Sequence, residues 1–133
     1  MQFTRFTDYA LRVLIYVGQK PDEWVTIRQI SEAYGISRNH LMKVVSFLGN
    51  KGYLQSQRGP GGGVQLRIAA SDVRLADVIL HAEGDLNLLS MPTDLPDKLE
   101  LPHKNLDQIL SGATQAFTQN LGDQSLADIL HTS

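Results

Sequence analysis

The chain contains no cysteine. That absence excludes disulfides, thiolate nucleophiles, thiolate-bound zinc and the usual ligation of iron-sulfur clusters. No run of about 18 uninterrupted apolar residues occurs, so no membrane-spanning helix is expected. The opening segment, MQFTRFTDYALR, lacks the apolar stretch and small-residue cleavage site of a secretory signal, and a soluble cytoplasmic protein is expected. Internal repeats and low-complexity tracts are also missing. What is present is a chain of 133 residues with 42% hydrophobic content, enough for one ordinary domain with a modest extension to bury a core.

The formal charge of −2 hides two halves of opposite sign. Residues 1–68 carry nine lysines and arginines against four acids, a net of +5, and the remainder carries three against ten, a net of −7. Such asymmetry is expected where only part of a protein faces phosphate, although a small chain can also cluster charge by chance.

Hydrophobic periodicity predicts a mainly α fold with a small β-hairpin. In residues 4–19, Phe6, Ala10, Val13, Leu14 and Val17 recur at helical spacing, with Phe3, Leu11 and Ile15 as a second flank. Thr26 is an expected N-cap for a short helix carrying Ile27, Ile30 and Ala33 and ending at Gly35. Ser37 is an expected N-cap for a third helix that buries Leu41, Val44, Val45 and Leu48 and stops at residues 50–52. Residues 53–57 and 64–68 read as two short strands joined by a glycine-rich loop. Ser71 or Asp72 is the expected cap of a fourth helix containing Val73, Leu75, Ala76, Val78, Ile79 and Leu80 and ending near Gly84. Residues 85–103, with prolines at 92, 96 and 102, read as a long loop, and residues 104–121 as an amphipathic helix striped by Leu106, Ile109, Leu110, Ala113, Phe117 and Leu121. Ser125 is the expected cap of a last short helix.

Helix, helix, helix, hairpin is the order of a winged helix-turn-helix. The turn Ala33-Tyr34-Gly35-Ile36-Ser37 fits that design: glycine permits the reversal, Ile36 pins the helices, and Ser37 starts the second one. That helix would lie in the major groove, with Arg38 suited to guanine, Asn39 to adenine, and His40 and Lys43 to bases or phosphates. Arg28, on the preceding helix, joins the set of candidate DNA contacts. In Arg58-Gly59-Pro60-Gly61-Gly62-Gly63 the glycines 59, 61 and 62 let backbone approach a duplex while Arg58 enters the minor groove or clamps phosphate. A nucleotide-cradling loop is the rival reading, but the Gly-Lys-Ser/Thr ending it needs is missing.

On these residues the chain resembles the Rrf2 family of bacterial winged-helix regulators, particularly its NsrR and IscR branches. The matching segments are Phe6-Thr7-Asp8-Tyr9-Ala10-Leu11-Arg12, Ile36-Ser37-Arg38-Asn39-His40-Leu41, Gly52-Tyr53-Leu54, the wing from Arg58 to Gly63, and Leu126-Ala127-Asp128-Ile129. The resemblance implies a homodimeric repressor or dual regulator of a near-palindromic double-stranded operator, with a long penultimate helix crossing its partner. It implies residues 1–84 as the DNA-binding domain, 85–103 at the position of the family's sensor loop, and 104–133 as dimerisation helix and short terminal helix. Sensing members hold an iron-sulfur cluster through three cysteines in that loop; here there are none, and no such cofactor is expected. Asp8 stands where the NsrR branch supplies an aspartate ligand, though an acid in the first turn of a helix also serves the helix dipole.

His103, Asp94, Asp97 and Glu100 offer nitrogen and oxygen ligands for a divalent metal, but their spacing matches no ligand motif and a solvated acidic loop is the favoured reading. His81 and His131 read as surface or cap residues. No nucleophile–base pair can be assembled, so an enzyme is not expected. A second class stays open: a winged helix used for protein or small-ligand contacts without a specific operator, supported by the net acidity and the unusual loop.

Overall fold

The computed structural model describes residues 2–84 and 93–130. Helix α1, Arg5–Gly18, begins where Thr4 accepts the Thr7 N–H, and it buries Thr7, Ala10, Val13, Leu14 and Val17. Helix α2, Ile27–Tyr34, opens with a reciprocal capping box between Thr26 and Gln29. Helix α3, Arg38–Asn50, is capped by Ser37 and buries Leu41, Val44, Val45 and Leu48, as its periodicity requires. Ala33, by contrast, is exposed; on so short a helix only Ile30 reaches the core fully.

Strands β1, Leu54–Gln57, and β2, Gly63–Leu66, pair antiparallel in the register Leu54 with Leu66 and Gln57 with Gly63. The hairpin is anchored by Val25, which exchanges backbone hydrogen bonds of 2.9 and 2.7 Å with Val64. One core therefore holds the inner faces of α1, α2 and α3 together with Val25, Leu54 and Val64. Truncating a central member such as Leu41 to alanine would cost about 2–5 kcal/mol.

Helix α4, Leu75–Glu83, starts later than the sequence suggests and has no side-chain cap. Ala70–Asp72 forms a 3-10 turn instead. The cause is tertiary: Val73 is fully buried and its carbonyl accepts the Leu126 N–H at 2.8 Å, while Leu75 N–H reaches Gln124. This stapled pair of backbones, reinforced by Arg74 on Asp123 at 2.7 Å, holds the short helix α6, Leu126–Leu130, against α1. Ser125 caps α6 as expected, with Asp128 returning the bond to the Ser125 N–H.

Helix α5, Asp97–Leu121, is the largest correction. It begins seven residues before the expected start at Lys104, so residues 97–103 are helical rather than loop. Pro102 lies inside it, where it removes the hydrogen bond to the Lys98 carbonyl. Asp97 and Glu100 favour the positive helix start, and Glu100 pairs with Lys104 at 3.7 Å. The helix spans about 37 Å, and none of its residues is buried. His131 lies outside the described residues.

Candidate nucleic-acid interface

The turn between α2 and α3 is built by local chemistry. Gly35 is left-handed, at φ 67°, and its N–H bonds to the Ser31 carbonyl. Ser31 Oγ donates to the Ile36 carbonyl at 2.6 Å, and Ile36 is buried beneath the turn. Ser37 then gives its side chain to the His40 N–H, so its hydroxyl serves the helix start first.

With its buried stripe fixed, α3 presents Arg38, Asn39, Met42, Lys43 and Ser46 outward. Met42, 56% exposed, escaped sequence reasoning because methionine usually reads as core; at this position its thioether can meet a thymine methyl. His40 sits on the flank facing α1, its ring 6.1 Å from that of Tyr9 and tilted by 35°. It therefore belongs to the shoulder of the helix rather than to its centre.

Arg58 stands at the exposed tip of the hairpin. Gly59 and Gly61 have positive φ and open space around the missing side chain, which leaves their backbone accessible. Gly62 is bare for another reason: a Cβ there would lie 2.2 Å from the Gln57 carbonyl oxygen of the same hairpin. Among the described residues Arg38, Lys43 and Arg58 have no acid within 4.0 Å. Arg28 is held on its own helix by Glu32 at 3.0 Å, an exposed pair that phosphate can displace at little cost.

Two groups behind this face were not legible as partners. Tyr53, whose phenol burial and the nearby Asp77 charge push above its ordinary pKa, hydrogen-bonds His81 Nδ1 at 3.1 Å, so His81 links α4 to the base of the hairpin. Glu83, in the last turn of α4, receives the Thr4 N–H, Thr4 Oγ1 and Thr7 Oγ1 at 3.1, 2.7 and 2.6 Å. It fastens the start of α1 to the end of α4.

The family model for Rrf2, described as an iron-dependent transcriptional regulator, matches residues 3–132. The chain belongs to the Rrf2 family. Solved structures agree in fold. CymR (YrzC), the global cysteine regulator of B. subtilis, is 23% identical with a TM-score of 0.71, covering 98% of this chain and 96% of its own. CymR of Staphylococcus aureus in its oxidized form is 24% identical at TM-score 0.77, covering 100% and 98%. The IscR of T. potens is 21% identical at TM-score 0.76, covering 98% and 86%.

Iron held as a cluster in the manner of the cysteine-bearing Rrf2 branches does not fit this donor set. The sequence supplies no thiolate. Asp8, expected from the resemblance in the place of an aspartate ligand, accepts a hydrogen bond from Arg12 Nε at 2.9 Å on its own helix. Asp97, Glu100 and His103 lie along α5, Glu100 is engaged by Lys104, and no group of three or more His, Asp or Glu suited to a metal occurs among the described residues. His103 Nδ1 is buried without a hydrogen-bond partner among them.

Proposed function

We propose that this Rrf2 protein is a homodimeric, sequence-specific DNA-binding repressor that works in the cytoplasm without a cysteine-ligated iron-sulfur cluster and without enzymatic activity. The observation that carries the proposal is the outward face of α3, where Arg38, Asn39, Met42 and Lys43 stand together, the two cations without an acid within 4.0 Å among the described residues, beside a wing tipped by Arg58. Arg38 supplies two donors for the O6 and N7 acceptors of guanine, Asn39 a donor for N7 and an acceptor for the N6 amino group of adenine, and Arg58 a contact that follows groove shape. In this reading residues 1–84 are the DNA-binding part.

Dimerisation is supported by α5. One side of it exposes Leu99, Leu106, Ile109, Ala113 and Ala116, a stripe too apolar and too continuous to favour water. A second copy of the same helix covers such a stripe by two-fold symmetry. Two recognition helices then enter successive major grooves about 34–36 Å apart on a near-palindromic operator. Repression needs only that the dimer occupy a promoter.

The test is an anisotropy titration of operator and scrambled duplexes over a range of salt. Arg58→Ala is expected to weaken both and flatten the salt dependence, whereas Arg38→Ala and Asn39→Ala relax the preference for the operator. Unchanged affinity in all three variants would exclude the assigned face.

A further inference from the structure

A cavity of about 170 Å³ lies between the first turns of α1 and the flank of α3, lined by Arg5, Phe6, Tyr9, His40, Lys43 and Val44. Its floor is apolar: Val44 is buried, and the Phe6 ring meets Phe47 edge-on at 5.0 Å. Its rim is cationic, since Arg5 and Lys43 are exposed and neither has an acid within 4.0 Å among the described residues. The Tyr9 and His40 rings form the wall between them.

The location defines the occupant. A helix with its side chains is about 10–12 Å across and fills a major groove about 12 Å wide, so the flanks of a docked helix meet the sugar-phosphate strands. The cavity sits on one such flank, away from the centre of the face at Asn39. An apolar floor under two unpaired cations matches a phosphodiester with its deoxyribose: sugar against Phe6 and Val44, charge between Arg5 and Lys43. Arg5 is also held in place, because Thr4, its neighbour, is the N-cap of α1 and is fastened to Glu83.

We propose that this cavity seats one backbone phosphate of the operator, making the start of α1 a third DNA contact beside the recognition helix and the wing. The proposal rests on the DNA-binding reading. It assigns Arg5 a role that the sequence reading gave to no residue of α1. It also makes His40 a wall of the phosphate seat instead of a reader of bases. A phosphate contact carries no sequence information, so its loss must weaken operator and scrambled duplexes alike.

The experiment measures affinity against salt for the full chain, Arg5→Gln and Lys43→Gln, on both duplexes. It is repeated with operators carrying a neutral methylphosphonate at single backbone positions. Arg5→Gln is expected to lower affinity about three- to tenfold on both duplexes and to reduce the log–log salt slope by about 0.9. Circular dichroism and melting temperature should stay unchanged, since Arg5 is exposed and unpaired. One methylphosphonate position should abolish the effect of both substitutions. An unchanged slope in Arg5→Gln, or effects of the two substitutions that map to different phosphates, overturns the seat while leaving the DNA-binding reading intact. Absence of duplex binding by the unaltered protein overturns both.

Discussion

Glu83→Ala is expected to loosen the start of α1 at neutral pH and to do so less and less as the solution is acidified. Glu83 stands at the C-terminal end of α4, where its own helix dipole disfavours a negative charge. It is retained against that cost by three hydrogen bonds from Thr4 and Thr7, at the positive start of α1. Burial raises its pKa, but the bonds from Thr7 and Thr4 together outweigh burial and leave it below the ordinary glutamate value of about 4.5. A hydrogen bond to a charged group contributes about 1.5–3 kcal/mol when sheltered, and much less when solvent shares it. Thr7 is fully buried and would be left with only its longer, 3.3 Å contact to Thr4 Oγ1, whereas Thr4 is exposed and can turn to water. The expected loss is therefore about 2 kcal/mol, which is about 4–8 °C in melting temperature. Because the folded pKa is depressed, the stabilisation is complete above about 4.5, the unfolded value, and is lost as pH falls through the lower folded value. The assay is thermal unfolding at fixed protein concentration, comparing the protein with Glu83→Ala and Glu83→Gln from neutral to acid pH. A difference that does not shrink on acidification would refute the charge-based reasoning.

Gly63→Ala should cost about 2–3 kcal/mol in urea unfolding, because its φ is +151° and a Cβ would lie 2.4 Å from the Val25 carbonyl oxygen. Gly61→Ala, with positive φ but open surroundings, should cost about 1 kcal/mol. Ser125→Ala removes the cap of α6 and should cost about 1 kcal/mol by the same measurement. Ile109, 68% exposed on α5, is the place to test the dimer: Ile109→Asp should give a folded monomer in sedimentation. An undisturbed dimer would show that this stripe is not the interface.

Features governed by neighbours in the chain were legible in the sequence. Thr26, Gly35 and Ser37 act as caps and reversal because cap chemistry operates over a few residues, and the core stripe of α3 follows from a 3.6-residue period. Features decided by distant contacts were not. Ser71 and Asp72 look like caps, yet the bond between Val73 and Leu126 holds the backbone extended past them. Pro102 reads as a loop residue, yet it is carried by a helix whose first turn is favoured by acids and whose apolar stripe runs through Leu99 and Leu106. His40 carries a base-reading side chain, but its angular position on α3 sets it beside Tyr9. Gly62 resembles a residue kept bare for a ligand, and is bare for the Gln57 carbonyl. Glu83 gave no signal at all, since its partners lie at the other end of the domain.

The most direct test of a cluster-free DNA-binding regulator is selection from a genomic DNA pool by the purified protein, kept throughout in a strong iron chelator. Strong enrichment of one near-palindromic sequence, with affinity unchanged by added iron and sulfide, is the expected result. No enrichment, or enrichment that appears only after iron and sulfide are supplied, would contradict it.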